Sequence, residues 1–219
     1  MGGCLLVPTD GGGRLQVALD YRQSYLMAGM ATKGLEVHAN MGSLSTVAAR
    51  YSHFGDADYN EQQMSLAYGL HVNRWLQLGV AGRYLYSGTA DAWYQPEHYL
   101  AAALIARAIL GNRCEIALLA GSRPWDEARP WRWHASLGYR PVEGLLAVVE
   151  AESEECMRAR LGLEYCYEKL FFIRSGLATN PLTLSFGLGW RQQHYSIDLA
   201  TEVHSALGLT PQVTLSVCL

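Results

Sequence analysis

No stretch of this chain approaches the ~20 consecutive apolar residues that a membrane-spanning helix needs, although half of its residues are apolar. A membrane reading must therefore rest on strands. Lysine is nearly absent: only Lys33 and Lys169 stand against fifteen arginines. A soluble surface normally uses lysine freely. Arginine is favoured where charges are paired in confined space, because its planar fork satisfies several acceptors. A barrel lumen is such a place, and a codon bias is the plainer alternative. The formal net charge is only −3, which gives no electrostatic basis for binding nucleic acid.

The chemical motifs are also missing. The sequence has no GxSxG, no HExxH, no phosphate loop and no GxGxxG. The five cysteines, Cys4, Cys114, Cys156, Cys166 and Cys218, form neither a CxxC nor a metal pattern, and an odd number cannot complete a disulfide framework. They read as small packing residues. No cofactor and no metal are expected. A positively charged start followed by a long apolar core is not visible, so no full signal peptide can be read. An exported barrel needs one, so the chain is expected to be a mature form or one whose start is misassigned or truncated. Met1-Gly2-Gly3-Cys4 is similar to the end of a lipoprotein cleavage box, although an ordinary N-terminal cysteine is the simpler reading.

What is present is alternation. In Arg158 to Tyr167, the residues Ala159, Leu161, Leu163, Tyr165 and Tyr167 form one set. Arg158, Arg160, Gly162, Glu164 and Cys166 form the other. A strand sends successive side chains to opposite faces, so one face is wholly apolar and the other charged. Its length matches the ~9–11 residues of a tilted strand crossing a bilayer. Met64 to Val72 and Leu76 to Tyr86 repeat the device on either side of a tight turn at Asn73-Arg74. Leu182 to Trp190 and Tyr195 to Val203 repeat it again. Trp75 at one end of the first pair, and Tyr84 and Tyr86 at the other, sit where an aromatic girdle would lie.

The spacing predicts about 14 strands (12–16) with short turns, after an N-terminal extension over 1–13. The barrel proper runs over 14–219. A short strand is expected over Ser24 to Ala31, and others over Leu35 to Met41, Leu44 to Phe54 and Pro141 to Ala151. His98 to Leu110 is alanine-rich and could be helical, but its neighbours favour a strand. Ser87 to Glu97 and Ser122 to Pro130 are the long loops, and Glu152 to Glu155 is an acidic turn. A soluble β-sandwich has the same period. Strands near ten residues, above the usual ~5–6, and a charge-free apolar face favour an all-β antiparallel transmembrane β-barrel, closed so that no backbone group is unpaired in lipid. The expected location is the bacterial outer membrane.

The C-terminal third resembles the outer-membrane family that includes FadL-like fatty-acid channels and the PorV/PorQ barrels of Bacteroidota. The residues that carry the resemblance are Leu161-Gly162-Leu163-Glu164-Tyr165, Phe172-Ile173-Arg174-Ser175-Gly176-Leu177, Asn180-Pro181, Phe186-Gly187-Leu188-Gly189-Trp190 and Tyr195-Ser196-Ile197-Asp198-Leu199-Ala200. It implies a fourteen-stranded barrel that is a small-molecule channel or a partner of a secretion or assembly machine. Members carry an N-terminal plug, whereas here the segment before the first strand is short.

Arg83, Arg158, Arg160, Glu164, Arg174, Arg191, Asp198 and Glu202 fall on the polar parity of their strands. They would form a lumen lattice of ion pairs, which plugs a narrow barrel or lines a selectivity path. Trp125, Trp131 and Trp133 are a candidate partner surface or part of a girdle. His134 and Ser136 share one strand face, as in outer-membrane lipid deacylases, but His194 and Ser196 repeat the spacing without the surrounding motif. The sequence therefore points to a barrel without enzymatic activity, a structural or accessory subunit of an outer-membrane secretion, assembly or transport complex. Its partners would be outer-membrane lipid and other outer-membrane or periplasmic proteins. The alternatives are a channel for a small hydrophobic or polar solute and, remotely, a lipid-modifying barrel enzyme.

Overall fold

Each alternating segment becomes a strand, and the strands close on themselves. The computed structural model describes residues 15–42, 44–91, 93–111, 113–153 and 156–219. The expected extension over 1–13, with Cys4, lies outside them. Fourteen antiparallel strands pair in chain order, and β1 (Leu15–Gln23) closes the barrel against β14 (Gly208–Cys218). Between them run β2 (Ala31–Met41), β3 (Ser45–Gly55), β4 (Tyr59–His71), β5 (Leu76–Thr89), β6 (Glu97–Leu110) and β7 (Cys114–Ser122). The circuit continues with β8 (Trp131–Tyr139), β9 (Leu145–Ser153), β10 (Met157–Tyr167), β11 (Phe171–Ala178), β12 (Thr183–Gln192) and β13 (Tyr195–His204). The alanine-rich segment is a strand, because its neighbours supply ladders on both sides.

Three expectations at the strand ends need correction. Ser24 to Ala31 is not a strand. A 3-10 turn over Ser24–Leu26 occupies it, with Tyr25 and Leu26 both at φ 55°, which no extended ladder accommodates. Pro141 does not begin β9; the chain turns through 140–144 and pairing resumes at Leu145, since proline has no N–H for a ladder. Glu152 is not in a turn but inside β9, paired in register with Arg158 and His134.

The two ends differ. At the end that holds Leu15 and Leu219, connections range from the two residues between Gln192 and Tyr195 to the five between Tyr139 and Leu145. At the other, they reach eight residues between Ser122 and Trp131. These are called the turn end and the loop end below.

The outside is a belt of apolar side chains. Leu161, Leu163 and Tyr165 of β10 are 49%, 47% and 48% exposed. A contiguous exposed apolar surface of this extent belongs against another apolar phase, and a closed barrel can enter lipid because no edge is left unpaired. Aromatics collect at both margins. Trp75, Tyr139, Tyr167, Trp190 and Tyr195 lie towards the turn end, and Tyr21, Tyr84, Trp131 and Trp133 towards the loop end. Such girdles place amphipathic rings at the two bilayer interfaces.

Inside, the barrel has two unlike walls. Across β3–β7 the paired inward residues are small: Ala48, Ala67, Ala81, Ala103 and Gly121 stand in one register row. Ile105 packs with Ala48 and Ala67, against Ala81 and Leu119. Ala48 is 0% exposed, Ala67 1% and Ile105 3%. This wall is sealed by packing. The rest of the circumference carries most of the charge.

Candidate functional site

The charged side chains reach the lumen because of strand parity, and they pair because of register. In β10, Arg160 forks onto Glu152 of β9 at 2.6 and 3.1 Å, with Glu150 at 3.7 Å. In β11, Arg174 Nε donates to Glu164 of β10 at 2.6 Å, and its Nη1 donates to Asp198 of β13. In β3, Arg50 donates to Glu36 of β2 at 3.0 Å and meets Asp20 of β1 at 3.4 Å, while His38 contacts the same Glu36. Each of these three arginines thus holds two carboxylates. Arg107 pairs singly with Glu115 at 2.6 Å, and Arg22 with Glu202 at 2.8 Å.

Three of the pairs reach over an intervening strand: Arg22 meets Glu202 across β14, and at the other two glycine makes the room. Asp20 and Arg50 meet across β2, where a Cβ on Gly34 would collide with the Asp20 carboxylate. Arg174 and Asp198 meet across β12, where a Cβ on Gly189 would lie 2.5 Å from Asp198 Oδ1. All five groups join ladder neighbours or strands one removed. Extensive contacts between elements are likewise confined to ladder neighbours and the 3-10 turn on β14. The ion pairs therefore line the wall rather than cross it. Eight strands already enclose an interior that side chains fill, and diameter grows with strand number.

Open space lies along β9–β13. It is a cavity of about 280 Å³, bordered by Leu146, Val148, Arg158, Gly162, Gly176 and Thr183 among others. Its floor is the pair Gly162 and Gly176, directly opposed in the β10–β11 ladder. A Cβ on Gly162 would meet nothing closer than 4.0 Å. The long side chains on either side are drawn away from this floor, Arg160 by Glu152 and Arg174 by Glu164 and Asp198.

Towards the loop end the lumen becomes arginine-rich. Arg22, Arg83, Arg132 and Arg158 lie in the loop-side halves of their strands, with Arg123 just past β7. Arg123 is 3% exposed; it pairs with Asp126 at 3.1 Å, while its Nε and Nη1 are buried without a hydrogen-bond partner.

The eight lattice candidates thus have different surroundings. Arg160, Glu164, Arg174, Asp198 and Glu202 are ion-paired. Arg158 instead donates to the Thr183 hydroxyl at 3.2 Å, and its Nε is buried without a partner. Arg191, near the turn end of β12, lies over the Phe172 ring at 4.6 Å. Arg83 lies on β5, between Ser65 and Ala101 in register. The three tryptophans do not share a surface. Trp131 and Trp133 point outwards from β8, whereas Trp125 turns to the lumen side, edge-on to Tyr99 at 6.1 Å. His134 Nε2 lies 3.9 Å from Glu150 and makes no hydrogen bond, and Ser196 shares one with Ser216 at 2.5 Å. Among the described residues no cluster could hold a metal ion.

Sequence reading missed Asp20, Glu36, Arg50, Arg107, Glu115, Glu150 and Glu152. Their parity signal was present, but it sat in strands with weaker alternation or, for Glu152, in a stretch that looks like a turn.

No known family profile matches the chain, and no curated protein matches it by sequence. Solved structures do match. The toluene transporter TodX of Pseudomonas putida has a TM-score of 0.69 at 9% identity, over 95% of this chain and 88% of that one. Omp33 of Acinetobacter baumannii has 0.67 at 10%, over 94% and 98%. The CymD monoaromatic hydrocarbon channel has 0.66 at 10%, over 95% and 88%. The fold is that of outer-membrane barrels. At such identities the likeness extends to the fold alone, and membership of the FadL-like or PorV/PorQ family remains an expectation.

Proposed function

We propose that this protein is a narrow, solute-selective passage across the bacterial outer membrane. The observation that carries the reading is the cavity along β9–β13. It is bordered by charges of both signs that are tethered to the wall, opposite a wall sealed by alanine and isoleucine packing. A lattice built to close the barrel would send pairs across the lumen. Here the ion pairs seen among the described strand residues hug their own side. The fold shared with proteins described as a toluene transporter and a monoaromatic hydrocarbon channel supports the same choice.

The passage takes small solutes. Its volume corresponds to roughly nine waters at ~30 Å³ each, well below the aqueous channel of a wide porin. Short turns at one end and longer loops at the other place the loop end outside the cell, by the general asymmetry of such barrels.

Single-channel recording in planar bilayers tests this. The purified barrel should give small, discrete current steps in potassium chloride. Silent barrels that nevertheless show the mobility shift of a folded barrel on unheated gels would sink the reading. The accessory role expected from sequence would gain if mild-detergent extraction from native membranes returned a stoichiometric complex.

A further inference from the structure

We propose that the cavity holds a recognition site for a small organic monocarboxylate, with Arg158 taking the carboxylate and the glycine floor taking an apolar body. The inference deepens the reading of the barrel as a passage and rests on it.

The argument starts from which cations in the cavity are already neutralised. Arg160 is forked by Glu152 with Glu150 beside it, and Arg174 is held by Glu164 and Asp198. Glu202, on the same rim, is taken by Arg22 at 2.8 Å. Arg158 borders the same cavity, yet among the described residues its side-chain hydrogen bond goes to a neutral hydroxyl, Thr183 Oγ1 at 3.2 Å. The carboxylate opposite it in register, Glu152, is engaged by Arg160. Its Nε is buried with no acceptor. A guanidinium without an acceptor at a buried N–H is poorly satisfied. A carboxylate presents a planar pair of oxygens that matches the guanidinium fork.

The position suits capture. Arg158 is the second residue of β10, at the loop end of the cavity, so an anion arriving through the loops meets it first. Below it the lining changes character. Gly162 leaves the wall bare, the Ser185 hydroxyl lies over Gly176 beside it, and Leu146, Val148 and Ala178 border the same space. That stretch offers an apolar body of a few carbon atoms a place out of water. Net charge selects the sign: the Arg174 group below carries one carboxylate in excess, so an inorganic anion is repelled there while an apolar tail is not.

The test uses three probes with one body: butyrate, butyramide and n-butylammonium. Their entry into proteoliposomes is measured for the wild type, Arg158→Gln, Arg158→Lys and Gly162→Leu. Closure of each barrel is checked by its gel mobility without heating. The wild type should pass butyrate faster than the other two. Arg158→Gln should lower the butyrate-to-butyramide ratio about tenfold, as expected for one charge-assisted contact, and Arg158→Lys should restore part of it. Gly162→Leu should slow butyrate and butyramide alike, because it fills the floor. A butyrate-to-butyramide ratio unchanged in Arg158→Gln overturns the site and leaves the passage standing, as does wild-type butylammonium outpacing butyrate. Entry of none of the three, with no ionic current, overturns both.

Discussion

Arg174 Nε donates to Glu164 Oε2 at 2.6 Å, and the same guanidinium reaches Asp198 two strands away over the glycines of β12. One cation thereby ties three strands together from the inside. Removing it leaves two carboxylates facing each other in a half-buried site. Breaking a fully buried pair by removing one partner costs about 3–5 kcal/mol. The side chains here are 23% and 28% exposed, and solvent screening lowers that figure. Arg174→Met should destabilise the folded barrel by roughly 1–2 kcal/mol, and Glu164→Gln by less, because Asp198 remains. Urea unfolding of the barrel in liposomes, followed by tryptophan fluorescence, would measure both. Equal stability of Arg174→Met and wild type would remove the tie from the account.

The glycines flanking that tie should differ in tolerance. A methyl on Gly189 meets the Asp198 carboxylate, whereas one on Gly162 enters open space. Gly189→Ala should cost on the order of 1–3 kcal/mol, as overpacking does, and Gly162→Ala less than about 0.5 kcal/mol. The comparison is internal, since neither residue has a positive backbone φ. A reversed order, read from the same unfolding curves, would contradict the placement of the lattice over β12.

The sealed wall makes a separate claim. Ala67 is 1% exposed and packs with Ala48 and Ile105. Ala67→Leu inserts three carbons where no space exists and should destabilise by about 1–3 kcal/mol. If this wall faced an open pore instead, the added side chain would find room, the barrel would keep its stability, and its conductance would fall.

Parity predicts the membrane face. Leu161, half exposed, points into the apolar belt, and its neighbour Gly162, of opposite parity, into the lumen. Leu161→Arg near mid-belt should cost about 2–4 kcal/mol, the range for arginine at a bilayer midplane. Gly162→Ser should be nearly neutral. Folding yield into liposomes at graded urea would separate them. Similar yields would mean that β10 does not face lipid.

Much of this arrangement was legible in the sequence, and the reason is local. Strand parity is written in neighbouring residues, so Leu161, Leu163 and Tyr165 declared one face of β10 and Arg160 and Glu164 the other. The fourteen-strand closure followed from the number of such segments. Pairing was not legible. Arg50 finds Asp20 only because β1 and β2 pair in a register that puts Gly34 beside Asp20, and no short window contains that information. Glu152 was hidden for a different reason: a run of acidic residues looks like a turn until β8 and β10 supply ladders on both sides. The 3-10 turn at Ser24–Leu26 carries no glycine or proline to announce it.

The most direct test of the central claim, that solute passes along β9–β13, is the current through single barrels carrying Gly162→Cys or Leu161→Cys, with the native cysteines replaced by alanine. A membrane-impermeant sulfonate thiol reagent is added during recording. The account predicts that the adduct at position 162 lowers the current sharply and that treatment of the Leu161→Cys barrel leaves it unchanged. A current indifferent to modification at 162, with labelling verified by mass, would contradict it.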